Sequence, residues 1–150
     1  MGFLPQTDYD FIFNRVPRMC VDMVIKGEGG AILMTRRNIE PYKNLWHLPG
    51  GCIRFKETIA EAATRIAQKE LGVHIKVLKT LGVVETMNDD LSPEIPRHSV
   101  SVVVEVQIVS GSPRVTAESS EVDYFTELPS AIHPYHALFL QGNGLIRDPQ

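Results

Sequence analysis

One stretch of the chain, residues 45–73, constrains the fold more than any other. An apolar segment leads into a Pro-Gly-Gly sequence, which predicts a tight turn where the backbone can approach a ligand closely. Glu57 and Thr58 are suited to the start of a helix, and Gly72 is suited to the position just past its end. We therefore expect a helix over residues 59–71 that is entered from a glycine turn.

Glu70 is the polar exception on the apolar face of this predicted helix. At about 100° per residue, the apolar positions that surround it on one side are Ile59, Ala62, Ala63 and Ile66. A carboxylate among apolar neighbours is costly unless positive charge meets it. The partner is either a buried Arg or Lys side chain or a divalent cation, held by Glu70 and carbonyl oxygens of the glycine turn.

Length and composition favour an ordinary soluble globule. The 150 residues suit a single domain, and 43% of them are hydrophobic. The net charge of -3 excludes a broad basic field for nucleic acid or anionic membranes. We expect no membrane span and no secretory signal, and hence a cytoplasmic protein in which Cys20 and Cys52 are structural and reduced.

Apolar periodicity predicts strands bracketed by helices, a mixed α+β arrangement. We expect helices over residues 9–16, 59–71 and 128–140. The predicted strands cover residues 19–26, 31–35, 45–48, 74–84, 99–109 and 122–125. Residues 27–30 predict a hairpin turn between the first two strands. Residues 36–44 and 85–97 predict polar loops, and the polar tail from residue 141 is expected to fray.

The segment around the glycine turn resembles the Nudix box, G-x5-E-x7-R-E-U-x-E-E-x-G-U, where U is a bulky aliphatic residue. The residues that match it in register are Gly51, Glu57, Arg65, Glu70, Gly72 and Val73. The resemblance implies a hydrolase of nucleoside diphosphates linked to another group. It also implies an α/β/α sandwich with a mixed β-sheet between helices. Ile66 and Lys69 replace glutamates that help to hold Mg²⁺ or Mn²⁺ ions in the family.

These two replacements also occur together in GDP-mannose mannosyl hydrolases, which this chain resembles in that respect. That subfamily uses one Mg²⁺ and breaks the sugar C–O bond by attack at the anomeric carbon. The resemblance implies that the Gly50 carbonyl and Glu70 hold the cation, with Mn²⁺ as a possible substitute. It also implies that Arg37 and Arg65 neutralise diphosphate oxygens and that Asp22 lies near the diphosphate or the sugar.

Two further residues are assigned by the resemblance. His98 fits a substrate-binding position ahead of the valine-rich strand. Glu121 stands where many Nudix enzymes carry a glutamate that binds metal or acts as general base, although the mannosyl hydrolases have a Gln-His pair there. Its neighbours Glu118 and Asp123 can serve the same purpose.

Each assignment has a structural alternative. Arg65 can pair with Glu61 one helical turn back. Arg37 can serve only as a solvated loop residue, and His98 as an exposed strand end. Glu57 can simply face the positive end of the helix dipole. Three further histidines are expected to be structural: His47, His133 and His136.

The resulting prediction is a Mg²⁺-dependent hydrolase of a nucleotide sugar, with a small-molecule substrate and neither nucleic acid nor membrane as partner. Family likeness suggests a homodimer. The alternatives are a nucleoside triphosphate or ADP-ribose pyrophosphatase, and a Nudix module that binds a nucleotide without hydrolysing it. Ile66 and Lys69 motivate the last alternative, because Lys69 can occupy space that a second cation would need.

Overall fold

The computed structural model describes residues 4–87 and 97–150. Its α-helices are α1 (Gln6–Phe13), α2 (Ile59–Leu71) and α3 (Pro134–Gly142). Its strands are β1 (Arg18–Ile25), β2 (Ile32–Arg37), β3 (Trp46–His47), β4 (Gly50–Cys52), β5 (His74–Met87), β6 (His98–Ser110) and β7 (Ser119–Phe125). No helix within these ranges is long and apolar enough to cross a bilayer.

The strands form two sheets. Four strands pair in the order β4-β1-β6-β5, with β1 parallel to β6 and the other neighbours antiparallel. The remaining three pair antiparallel in the order β3-β2-β7. The predicted mixed sheet within an α/β/α sandwich is confirmed.

The predicted hairpin at residues 27–30 is wrong. β1 and β2 belong to different sheets, and between them lie an isolated bridge of Lys26 with Ile32 and a hydrogen bond from the Gly27 N–H to the Ala31 carbonyl. A short 3₁₀ turn (Glu28–Gly30) separates them, and Gly29 and Gly30 adopt positive φ angles of 64° and 78°. Glycine tolerates these angles, so the chain leaves one sheet and enters the next within a few residues.

Helix α2 forms as the sequence predicts. Thr58 accepts a hydrogen bond from the Glu61 backbone N–H, while the Glu61 side chain accepts one from the Thr58 N–H. This capping box satisfies the first orphan donors of the helix. Gly72 ends the helix with a left-handed φ of 68°. The buried face consists of Ala62, Ala63, Ile66, Ala67 and Leu71, whereas Ile59 is exposed.

Two apolar clusters hold the layers together. One packs α2 against β1 and β6 through residues such as Leu71 and Val104. The other packs the second sheet and α3 through residues such as Met34 and Leu140. Each fully buried aliphatic side chain contributes about 1.5–3 kcal/mol to stability. Strands β1 and β6 lie between these clusters, which explains their nearly continuous apolar sequences.

The chain ends differ from the prediction. The first helix covers Gln6–Phe13 rather than residues 9–16, and it begins after Pro5 without a side-chain capping bond. The last helix begins at Pro134, so residues 128–133 are not helical. The tail is docked rather than frayed, because Ile146 is buried and the Leu128 N–H donates to the Arg147 carbonyl.

The strands after α2 are longer than predicted. β5 continues through Met87, and most of the predicted loop at residues 85–97 lies outside the described residues. The glycine turn also forms part of a strand that the sequence did not predict, because Gly50–Cys52 pair with β1. This pairing brings the turn against the centre of the main sheet.

Candidate active site

An open cleft lies over β1 and β4, between the second sheet and the start of α3. Its cavity volume is about 160 Å³, smaller than the roughly 300–1,000 Å³ of typical small-molecule sites, so the open cleft encloses only part of a ligand. Arginines from three separate segments line it: Arg18, Arg37 and Arg97. Arg97 Nε is buried and makes no hydrogen bond within the described chain. The cleft therefore presents positive charge suited to an anionic ligand.

Asp22 lies at the buried centre of this cleft. Its Oδ2 accepts a hydrogen bond from Ser101 Oγ at 2.6 Å and lies 3.3 Å from His136 Nε2. Burial opposes ionisation, but the interactions with His136 and Ser101 outweigh it and hold the pKa of Asp22 below its usual value. Asp22 is therefore an ionised carboxylate kept in one orientation by two neighbours.

Two histidines are tied to the same backbone residue. The Leu48 N–H donates to His136 Nδ1 at 3.0 Å, so Nε2 carries the proton that faces Asp22. His47 Nδ1 donates to the Leu48 carbonyl at 2.7 Å, and its Nε2 lies 3.2 Å from Thr35 Oγ1. Burial, with help from His136 and Arg37, lowers the pKa of His47 to about 3. Its imidazole is neutral at physiological pH.

Gly50 stands opposite Asp22 on the edge strand β4. The backbone hydrogen bonds between β1 and the glycine strand lie at other pairs. The Met23 N–H donates to the Pro49 carbonyl at 2.8 Å, and the Ile53 N–H donates to the Met19 carbonyl at 2.9 Å. Because bonded and non-bonded pairs alternate along antiparallel strands, the N–H and C=O of Gly50 point away from β1. Any Cβ at this position would overlap the Asp22 carboxylate.

A second, smaller hollow adjoins the cleft. We call it the glutamate hollow; it is lined by Thr35, Arg37, His47, Glu70, Thr116, Glu118 and Ser119. It shares Arg37 and His47 with the cleft. The Gly50 N–H donates a hydrogen bond to the Glu70 carboxylate. The glycine strand and the end of α2 therefore meet where the two hollows join.

The Glu70 carboxyl group is electrostatically unfavourable in its ionised form. Burial and the nearby Glu118 raise its pKa to about 8, although Arg37, Lys69 and the Gly50 N–H oppose the shift. Among the described residues, no Arg, Lys or His forms a salt bridge with it. The buried Arg or Lys partner considered from the sequence is therefore not found within 4–87 and 97–150.

Arg37 connects the two hollows. Its Nε donates to the Pro41 carbonyl at 2.6 Å and to the Ile39 carbonyl at 3.3 Å, which fixes the guanidinium at the end of β2. Burial lowers the pKa of Arg37, and the attraction of Glu70 opposes this. The group stays charged, because arginine does not deprotonate in proteins. It faces both the cleft and Glu70, as a phosphate-binding role requires.

Arg65 is engaged by protein groups. Its guanidinium makes two bonds to Glu57, of 2.7 Å and 2.8 Å, and donates to the Cys52 carbonyl at 2.9 Å. These bonds lower the pKa of Glu57 to about 2. The alternative pairing with Glu61 is wrong, because Glu61 belongs to the capping box. Arg65 holds the strand after Gly50 against α2 and contacts neither hollow.

Two sequence-predicted residues lie away from this arrangement. Glu121 forms a salt bridge with Arg36 at 2.7 Å. The pair lies on the face of β2 and β7 opposite to Thr35, which lines the glutamate hollow. His98 lines a separate hollow beside Asn14 and Met87. The structure brings together Asp22, Arg37, Gly50 and Glu70, and it leaves Glu121, His98 and Arg65 outside.

Several residues of the site carried no decisive signal in the sequence. His47, His133 and His136 were expected to be structural, yet all three line the cleft. The His133 ring stacks on His136 with ring centroids 4.5 Å apart. The carboxylate beside Glu70 comes from Glu118, which the sequence offered only as an alternative to Glu121. The pairing of β2 with β3 and β7, and the hydrogen bonds that join His133 and His136 to the backbone of residues 46–48, place these residues here.

Comparison with known proteins identifies the family. Residues 16–143 match the family described as NUDIX domain. The chain belongs to the Nudix family. One relative, the "Low-salt glycan biosynthesis protein Agl8" of Haloferax volcanii, is 31% identical over 91% of this chain and 88% of its own length. The "ADP-ribose pyrophosphatase" of Methanocaldococcus jannaschii is 31% identical over 73% of this chain and 62% of its own length.

Solved structures agree with this assignment. The crystal structure of a MutT NUDIX hydrolase from Burkholderia pseudomallei superposes with a TM-score of 0.75 and 26% identity, covering 85% of this chain and 98% of the other. A MutT protein from Methanosarcina mazei Go1 gives a TM-score of 0.73 at 19% identity, covering 87% and 95%. The latter shows the fold alone. The prediction of a Nudix hydrolase is confirmed.

Nudix hydrolases generally use divalent metals, and the donors of the glutamate hollow fit such an ion. The Glu70 and Glu118 carboxylates and the outward-facing Gly50 backbone offer oxygen ligands, which Mg²⁺ prefers. In the part of the chain that the structure describes, no group of three or more His, Cys, Asp or Glu side chains could hold a metal. This Nudix site therefore suits a cation that takes its remaining ligands from water and phosphate.

Proposed function

We propose that this Nudix hydrolase cleaves a nucleoside diphosphate sugar with the help of Mg²⁺, with Mn²⁺ as a substitute. The observation that carries the proposal is the Glu70 carboxylate, half-buried beside Gly50 without an ion-pair partner among the described residues. It adjoins a cleft lined by arginines and by the Asp22 carboxylate. This arrangement suits a diphosphate joined to a neutral hydroxyl-bearing group.

The chemistry follows from the charge of the leaving group. A bound divalent cation supplies positive charge that stabilises the departing diphosphate. Arg37 faces both hollows and adds a fixed positive charge for the same oxygens. Glu70 and the Gly50 carbonyl are the groups that would hold the cation. Arg65 positions this strand through the Cys52 carbonyl, so we assign it a positioning role rather than contact with substrate.

Asp22 suits the recognition of the sugar. A carboxylate repels phosphate oxygens, but it accepts strong hydrogen bonds from hydroxyl groups. His136 and Ser101 engage Oδ2, while Oδ1 lies against Gly50 at the floor of the cleft. His136 keeps this acceptor oriented through its bond to the Leu48 backbone. We therefore assign Asp22 to a sugar hydroxyl next to the bond that is cleaved.

Glu118 is better placed than Glu121 to activate water. Glu118 lines the glutamate hollow with Glu70, whereas Glu121 is paired with Arg36 on the other face of the sheet. A general base must lie within hydrogen-bond reach of the water that it deprotonates. Glu118 is bound to Lys69 at 3.2 Å, with side chains 41% and 63% exposed, so it can release this exposed partner when substrate binds.

A substrate panel tests the proposal directly. The purified chain is incubated with nucleotide sugars such as GDP-mannose, with ADP-ribose and with nucleoside triphosphates, each with MgCl₂, MnCl₂ or EDTA. We expect a nucleotide sugar to give the highest kcat/KM and EDTA to abolish turnover. The relative from Haloferax volcanii, named for glycan biosynthesis, supports a sugar-containing substrate. Preference for ADP-ribose, as the name of the Methanocaldococcus relative suggests, would contradict it.

An oxygen-isotope label identifies the bond that is cleaved. The reaction is run in ¹⁸O-labelled water and both products are analysed by mass spectrometry. Label in the free sugar shows attack at the anomeric carbon, as the likeness to mannosyl hydrolases implies. Label in a phosphate shows attack at phosphorus. The second result would retain the Nudix hydrolase but reject the mannosyl-hydrolase mechanism.

One observation favours a second candidate function, nucleotide binding without hydrolysis. Lys69 stands where the family carries a metal-binding glutamate, and its ammonium group engages Glu118 beside Glu70. A fixed positive charge there competes with a catalytic cation. Tight binding of a nucleotide sugar without any Mg²⁺-stimulated product would favour this function. The homodimer, the cytoplasmic location, the single domain and the absence of a nucleic-acid partner stay predictions from the sequence and its likeness.

A further inference from the structure

A pair of free cysteines lies in the wall of the cleft. Cys20 on β1 and Cys52 on β4 are direct cross-strand partners, and their Sγ atoms are 3.8 Å apart. Both side chains are half-buried, and both line the cleft. They are the only cysteines of the chain. Two thiols in contact, open to a cavity that small molecules can enter, form a potential site of covalent chemistry.

The register of the two strands suits a disulfide. The Met19–Ile53 position next to the cysteines carries a ladder bond of 2.9 Å, so Cys20 and Cys52 occupy a non-hydrogen-bonded pair. Cα atoms at such a pair lie about 4.5 Å apart, inside the range of about 4.4–6.8 Å that disulfides span. Side-chain rotation therefore suffices to bring the sulfurs to a bonding distance of about 2.05 Å. The backbone pairing that holds Gly50 opposite Asp22 can stay intact.

We propose that Cys20 and Cys52 form a reactive dithiol site that a small disulfide, such as an oxidised low-molecular-weight thiol, converts into an intrachain disulfide. One deprotonated cysteine attacks a sulfur of the small disulfide and releases one equivalent of thiolate, leaving a mixed disulfide on the protein. The other cysteine loses its proton and attacks the protein sulfur of this mixed disulfide, releasing the second thiolate. The cysteine pair is oxidised by two electrons, and the small disulfide is reduced to two thiols.

The surroundings favour an anionic reagent. Arg18 and Arg97 line the same cleft as the two thiols. Their charges attract a carboxylate-bearing disulfide and raise its local concentration. The nearby Cys52 carbonyl is held by Arg65, and β1 is held by its long pairing with β6. These fixed supports keep the two thiols together, so the second exchange step is intramolecular and fast.

Oxidised glutathione serves as the test reagent for the full chain, with EDTA present to exclude metal-catalysed oxidation. Wild-type protein is expected to lose both thiols without retaining glutathione, and its intact mass falls by two hydrogen atoms. Cys20→Ser and Cys52→Ser are each expected to retain one glutathione on the remaining cysteine. The oxidised wild type should unfold at a higher Tm, and dithiothreitol should reverse that shift. Wild type that accumulates the glutathione adduct while its second thiol stays free would overturn the proposal.

A second measurement uses a reagent that recognises paired thiols. Phenylarsine oxide, a trivalent arsenical that bridges two neighbouring thiols, should bind the reduced wild type one to one and block labelling of both cysteines by iodoacetamide. Each single serine variant should lose at least tenfold in affinity for it. Both cysteines remaining open to iodoacetamide at saturating arsenical would contradict the dithiol site. The dithiol site does not depend on the proposed hydrolysis, so a negative result for one of these two proposals leaves the other unaffected.

Discussion

Glu70→Gln tests the electrostatic argument on which the proposed function depends. The substitution keeps the size of the side chain but removes the charge that Gly50 and Arg37 alone do not neutralise. Without metal, the pKa of Glu70 is raised from 4.5 to about 8 by burial and by Glu118. At about 1.36 kcal/mol per tenfold change in protonation equilibrium, the ionised carboxylate costs on the order of 2–5 kcal/mol of folding stability above pH 8.

The pH dependence has a definite sign. A group whose pKa is raised in the folded state binds protons more tightly there, so its stabilising contribution is complete below pH 4.5 and is lost as the pH rises through about 8. The metal-free wild type should therefore be less stable than Glu70→Gln at pH 9, while the two should be nearly equal at pH 5. Urea unfolding with EDTA at both pH values measures this difference.

Metal binding should make the wild type more stable than Glu70→Gln. Saturating MgCl₂ stabilises only the state that binds it, so the wild type should gain Tm at pH 8 and Glu70→Gln should not. Metal-dependent turnover of the variant should also be lost. Glu85→Gln, which changes an exposed carboxylate on β5, is the matched control and should behave as wild type. A metal-free Glu70→Gln that is less stable than wild type at pH 9, or one that keeps the metal shift, would refute the reasoning.

Three further predictions follow from the same contacts. Glu118→Gln should lower Mg²⁺-dependent kcat about 100-fold, while Glu121→Gln should leave it nearly unchanged. The opposite result would indicate that Glu121, as predicted from the sequence, is the general base. Glu57 has a pKa lowered to about 2, so the stability that its carboxylate contributes is complete above pH 4.5 and is lost as the pH falls through about 2. The stability of Glu57→Gln should therefore depend less on pH than that of the wild type in this window, as measured by acid titration. Gly50→Ala should lower stability by about 2 kcal/mol or more, because the new Cβ would overlap the Asp22 carboxylate. Gly142→Ala, which meets open space, is its control, and equal Tm shifts for the two would contradict this account.

The sequence predicted the local parts of the site well and its assembly poorly. The helix around Glu70, its cap at Thr58 and its end at Gly72 depend on residues within a few positions of each other, which periodicity and capping rules describe. Glu121 was selected by resemblance, because it stands where many Nudix enzymes carry a glutamate. The strand pairing instead places it beside Arg36, whereas Glu118, in the turn just before β7, lines the hollow together with Glu70.

Long-range pairing decided the rest. Ser101 reaches Asp22 across 79 positions because β1 and β6 pair in parallel, and His136 reaches the Leu48 backbone across 88 positions because α3 packs over the cleft. No local pattern encodes such contacts, since each depends on which strands become neighbours. The sequence alone determined the helix that carries Glu70, the glycine turn and the family. Only the tertiary structure decided which carboxylates, imidazoles and thiols meet, because burial and charge act between residues that are distant along the chain.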